Sequence, residues 1–336
     1  MGEFKATNHY VPESYLHRWA GDTGKVWAYK TLVSHARVPT WKPASPAALA
    51  YYRHLYTSAA SGTASDEIER WLERDFETPA QEPIRRALAG QQLSRGDWRA
   101  LIRYVAAQDV RTPSRMIQFL ARMQAQMPAM LQSVLDNLEQ SLRSGKAPAP
   151  APAARGPGIP LRIETELGHP KPDLATIKAT TFIGRTLWLA EFDHLLNRTA
   201  QVLQGHRWTM LRAPAGVDFL TSDCPVARLY GSSLDGGWGT PGAEIMMPLS
   251  PRCLIFTRVG DRHPPPRGST IARELAQDIN RLITTNAHRL IIARRETPEV
   301  EQWRPRVVDR ERFEAERAQW EHWHQAQSEA ELNLLS

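Results

Sequence analysis

The chain has 336 residues, 42% of them hydrophobic and 23% charged, with a formal net charge of +6. Those proportions exclude a disordered or fibrous chain, and the length leaves room for a large core in one elaborated domain or two smaller ones. No window reaches the roughly 18 uninterrupted apolar residues of a membrane-spanning helix. The opening MGEFKATNHYVPESYLHRW also lacks the apolar region of a signal peptide, so a cytoplasmic protein with no membrane partner is expected.

In chain order, the Gly-Asp-Thr-Gly turn at 21–24 precedes KVWAYKT, whose alternation predicts a strand over Lys25 to Thr31. Ile68, Trp71, Leu72, Phe76, Ile84 and Leu88 recur at helical spacing from Asp66 to Ala89, with Ser65 as N-cap and Pro79 and Pro83 as interruptions. Ser94 with Asp97 three residues on opens a second helix reaching about Val110, where Thr112-Pro113 breaks it before a continuation to about Arg143. Residues 144–160 are rich in proline, alanine and glycine and read as a solvated excursion. A long helix is expected from Asp173 to Gln204, closed by Gly205.

The C-terminal half turns strand-rich, with short β-like runs at Arg207–Arg212, Asp218–Thr221, Val226–Tyr230, Glu244–Pro248 and Cys253–Val259. A helix from Thr270 to Asn286, a strand from Arg289 to Ala293 and a charged helix from Glu311 to Leu334 complete the pattern. The expected fold is α+β: a helical central region on a mainly antiparallel sheet formed largely by the C-terminal half. One compact domain over 1–310, with the insertion at 144–160, is followed by the charged helix at 311–336. The two cysteines, Cys224 and Cys253, suit neither a disulfide scaffold nor a Cys-based zinc site and read as buried thiols.

Several local patterns bear on function: NHYVP with Tyr15, Leu16 and Trp19; Glu69 and Glu77; AQDVRTP at 107–113; FLTSDCPV at 219–226; and PLSP at 248–251 with Asn280 and Asn286-Ala287. In this order, spread over nearly the whole chain, they resemble the uncharacterised domain-of-unknown-function 4238 family. Cys224 stands where that family often has Asn between Asp and Pro, so any role of that amide is missing here. The resemblance brings no activity with it.

Within these motifs His9 suits acid–base chemistry or metal ligation, or it pins a turn by bonding a backbone group. Asp223, at a strand end, can project into a cleft and orient His9 or hold a metal, or else satisfy local backbone donors with Thr221 and Ser222. Gln108 and Arg111 share a helix face and could clamp a carboxylate or phosphate, or pair internally with Glu77. Tyr10, Ser222 and Asn280 complete the candidate substrate-binding set.

Glu191 and His194 have a dimetal spacing but lack a matching second pair, because Glu321 and His324 lie in a terminal helix read as outside the core. No GxxxxGK[ST] phosphate loop, HExxH, CxxC or GxSxG nucleophile elbow is present. Two functional expectations result. One is a hydrolase, metal-assisted or nuclease-like, acting on a phosphodiester or other anionic substrate with His9 and Asp223 at the site. The other is a non-catalytic binding or regulatory module, in a setting such as bacterial defence, whose motif residues are structural. The basic charge permits an anionic small molecule or nucleic acid as partner. Whether a divalent metal is bound, and the oligomeric state, are left open by the sequence.

Overall fold

A computed structural model describes residues 6–57, 65–144, 161–167, 175–230, 237–261 and 264–335. The fold is mixed α+β with largely antiparallel sheets. Among the described residues no helix is long and apolar enough to cross a membrane.

Two sheets carry the frame. The larger runs Ala227–Leu229, Glu244–Ser250, Cys253–Arg258, Thr209–Arg212, Ser269–Thr270, antiparallel except for the last pair. The second interleaves the ends of the chain: Trp41–Ala44, Val26–Lys30, Leu290–Ala293, Thr221–Ser222, all antiparallel. The N-terminal strand predicted at Lys25 to Thr31 thus joins strands from the C-terminal half. One partner, Trp41–Ala44, is close in sequence, but the other, Leu290–Ala293, comes from the far end of the chain, a pairing no local periodicity encodes. Phe219, Ile291, Tyr29 and Leu254 bury one apolar cluster on helix Arg273–Asn286 through its Ala276, Ile279 and Ile283.

The helical centre follows the predicted punctuation. Helix Arg95–Val110 starts on a complete Ser94/Asp97 capping box and is buried from Tyr104 to Val110. Its end at Arg111-Thr112 releases the chain into helix Pro113–Arg143. Pro79 and Pro83 do not end the helix: helical geometry continues from Glu67 through Glu73–Glu77 into Thr78–Leu88, with Pro83 buried. The irregularity sits earlier, in the wide π turn Glu73–Glu77.

The long helix expected from Asp173 is corrected. Ala175–Thr181 is a strand in a hairpin with Leu161–Leu167, and helix begins only at Arg185. β-Branched Thr176, Ile177, Thr180 and Thr181 give that stretch its extended preference. Asp218 to Leu220 forms no strand; only Thr221–Ser222 pairs. The excursion at 144–160 lies, from residue 145 on, outside the described residues. The terminal segment is two helices, Arg310–Glu321 and Trp323–Leu335, separated at His322. Trp323 joins the main core, and Glu331 is buried against Arg185 at 2.7 Å.

Candidate functional site

The motif residues meet, but along a sealed seam. Arg111 is 1% exposed. Its guanidinium pairs with Glu77, stands 3.7 Å from Glu69, and donates to the carbonyl of His9 at 2.5 Å. The Tyr56 hydroxyl donates to the Arg111 carbonyl at 2.7 Å. Internal pairing with Glu77 therefore uses the arginine expected to clamp an anion. Gln108, on the preceding turn, is fully buried, and neither amide atom has a hydrogen-bond partner among the described residues. It faces a cavity of about 10 Å³ shared with Asp109, Ser114, Arg115, Cys224 and Asn286. That space holds about one water molecule and no substrate.

His9 contributes its backbone to Arg111, while its Nε2–H donates to the Ala47 carbonyl at 3.2 Å. Asp223 is 2% exposed and accepts three backbone N–H groups, from His288 at 2.8 Å, Arg289 at 2.5 Å and Leu290 at 3.0 Å. Burial pushes its carboxyl above the ordinary range, against the pull of His288 and those donors. Ser222 accepts from the Cys224 N–H and donates to the Cys224 carbonyl, a closed local turn. Asn280 accepts from the Leu220 N–H and donates to the Asp218 carbonyl, each at 2.9 Å, fastening an irregular loop to helix Arg273–Asn286. Asn286 does the same for the carbonyls of Cys224 and Val226.

The opening motif docks on the later ones. The Tyr15 hydroxyl donates to the Pro248 carbonyl and lies 2.7 Å from Thr221 Oγ1, and Trp19 Nε1–H donates to the Phe219 carbonyl at 2.8 Å. Each sequence motif thus supplies the partner another one needs. A buried bond of this kind contributes about 1 kcal/mol net, and losing one partner costs about 1–3 kcal/mol because the other stays buried. The seam fits a scaffold that closes the chain's two halves.

An open cleft lies beside the seam; of the candidate catalytic and substrate-binding residues only Tyr10 reaches it, facing Glu321 and His324 of the terminal segment. A cleft of about 800 Å³ separates the Tyr51–Arg53 strand from the terminal helices. Tyr10 stacks on Tyr52 at 5.4 Å and Tyr52 on Trp320 at 3.9 Å, giving a wall of flat rings. His54 stacks on His324 at 4.1 Å between ring centroids. Arg185, fully buried and paired with Glu331, donates to His324 Nδ1 at 2.8 Å. A guanidinium has no lone pair to offer, so that nitrogen is an acceptor and the imidazole proton sits on Nε2.

Both imidazoles are held below their ordinary range: His54 by burial, Arg53 and Arg185, and His324 by burial, His54 and Arg185, with Glu331 opposing. The strand that carries this wall is bracketed by left-handed residues, Ala50 at φ 52° and His54 at φ 56°. Non-glycine residues there cost of order 1–3 kcal/mol unless their surroundings enforce the geometry. Here the Tyr10 N–H bonds the Ala50 carbonyl at 2.9 Å and the His54 N–H bonds the Ala6 carbonyl at 2.7 Å.

Charge completes the cleft. Glu316 is held by the Arg289 guanidinium at 2.7 Å and Glu321 by Arg317 at 3.3 Å. Lys30 and Arg53 also line it and have no acidic partner among the described residues, leaving an excess of positive charge. Those residues contain no group of three or more His, Cys, Asp or Glu able to hold a metal ion.

His54 and His324 are 270 residues apart, and neither sits in a motif. The readable signal was the stripe Phe313, Trp320, His324 along one face of the terminal segment, whose aromatic members need something to cover them.

The family model described as "Protein of unknown function (DUF4238)" matches residues 7–297. The chain belongs to this family. The matched span contains the whole seam and the His54 wall of the cleft, whereas Trp320 and His324 lie beyond it. No curated protein and no solved structure matches the chain.

Proposed function

We propose that this protein binds a small anion bearing a flat ring in the cleft between the Tyr51–Arg53 strand and the terminal helices, and that its family motifs build the scaffold behind that cleft. The observation that carries the reading is Lys30 and Arg53, without acidic partners among the described residues, beside a wall of stacked rings in an 800 Å³ opening. Ligand sites of roughly 300–1,000 Å³ combine apolar and aromatic lining with a few convergent polar groups. The size suits a small molecule rather than a nucleic-acid duplex.

Two observations weigh against hydrolysis at His9 and Asp223. The Asp223 carboxylate is occupied by three backbone donors, and the His9 ring bonds the Ala47 carbonyl. Neither shares an opening with Gln108, whose cavity is too small for a substrate.

The test is calorimetric titration of the full chain with 1-naphthalenesulfonate and with a panel of nucleoside monophosphates. Saturable one-site binding, weakened about tenfold by Arg53→Glu through a charge reversal worth about 1.4 kcal/mol, is the expected result. Binding indifferent to Arg53→Glu, or no saturable binding of any flat anion, would overturn the reading.

A further inference from the structure

Resting on the cleft as the ligand site, we infer that His54 takes up a proton from solvent when the anion binds, with His324 stacked on it as the neutral positioning residue. The two imidazoles differ in what their nitrogens face. His324 Nδ1 receives the Arg185 N–H at 2.8 Å, and protonating it would break that bond and set two cations against each other. His54 Nδ1 lies 3.2 Å from the Thr57 hydroxyl. A hydroxyl both donates and accepts, so it satisfies that nitrogen with or without a proton. Protonating His54 therefore keeps its Thr57 bond, whereas protonating His324 forfeits its Arg185 bond.

The charges around the pair set the direction. Arg53 on the same strand end and Arg185 from the neighbouring helix both disfavour an imidazolium at His54. Glu331 approaches the pair but is occupied by Arg185 and by Thr186 at 2.6 Å. Around the cleft, Glu316 and Glu321 are taken by Arg289 and Arg317, and Lys30 adds another cation. Without an anion, burial and then the cationic surroundings keep His54 neutral near pH 7. A ligand charge placed among Lys30, Arg53 and His54 reverses that balance, because an opposite charge within a few ångströms favours the protonated form. A stacked neutral imidazole also presents a π face to the new cation. Burial and the two arginines already hold His54 below its ordinary range, so there is room for an upward shift on binding.

The experiment uses 1-naphthalenesulfonate, whose charge does not change between pH 5.5 and 8, so any pH dependence comes from the protein. Affinity should rise about tenfold from pH 8 to pH 5.5, the effect of a shift of one pKa unit. Calorimetry near pH 6 in two buffers of different ionisation heat should report uptake of up to about half a proton by the unaltered chain, the maximum for a shift of one unit. His54→Asn, chosen because asparagine tolerates the left-handed backbone, should bind with a flat pH profile while keeping its melting transition. Saturable binding with no pH dependence and no proton uptake would overturn this inference and leave the cleft reading standing. A pH dependence that survives in His54→Asn would overturn the assignment to His54. Absence of saturable binding at every pH would remove the cleft reading itself.

Discussion

In the seam, the polar atoms of Arg111, Asp223 and Asn280 are consumed by carboxylates and backbone groups of other motifs. In the adjoining cleft, Lys30 and Arg53 have no acidic partner among the described residues and two half-buried imidazoles stand at the surface. The two regions share a wall, since Arg289 and Leu290 line the cleft while their N–H groups hold Asp223. The difference teaches that a motif-rich region can be spent on holding a fold together. Buried polar groups must be satisfied internally or they destabilise the fold, and once satisfied they have little left to offer a ligand.

The sharpest way to break this comparison is Arg111→Met. Removing the guanidinium leaves Glu77, Glu69 and the His9 carbonyl without their shared partner. A loss of about 3–5 kcal/mol in denaturant unfolding is expected, the usual result of removing one member of a buried ion pair. Asp223→Ala comes next: three backbone donors lose their acceptor, and stability should fall by about 1–3 kcal/mol. If either variant kept the parent stability, the seam would not be the scaffold described here.

On the cleft side the order inverts. Lys30→Glu should weaken flat-anion binding about tenfold while moving unfolding stability by no more than about 0.5 kcal/mol, as for an exposed substitution touching no network. His9→Ala should cost less than about 1 kcal/mol, since it forfeits one partly exposed bond to Ala47. Loss of ligand binding in that variant with unchanged melting would return His9 to the site.

The smallest effect is in pH. His54 and His324 have folded-state values below their ordinary range, so the unfolded chain takes up protons first as pH falls. Their contribution to stability is complete above about pH 6.5 and is lost as pH drops through the folded values. The melting temperature should therefore fall from pH 7 to pH 5 in the absence of ligand, and His54→Asn should flatten part of that slope.

Much of the frame was legible in the residues. The Ser94/Asp97 box, the Thr112-Pro113 break and the Cys253 strand are local signals, and each acts where its chemistry requires. The Ala175–Thr181 stretch carried a strand signal that was missed, the alternation of Ala175, Ile177 and Ala179 among β-branched residues, and its pairing with Leu161–Leu167 bears it out. The candidate residues were found as motif members, and Arg111 with Glu77 was readable as an internal pair. Their burial was not readable, because the partners of Asp223 lie 65–67 residues away and the partner of Arg111 at His9 lies 102 away.

The sequence by itself determined the family, the mixed α+β character and the helix punctuation at Ser94 and Thr112-Pro113, because those depend on residue type and short-range spacing. Tertiary structure alone decided which polar groups are exhausted and which remain available. That outcome depends on what the returning chain places opposite each group: Arg185 under His324, His324 on His54, and three backbone N–H groups around Asp223.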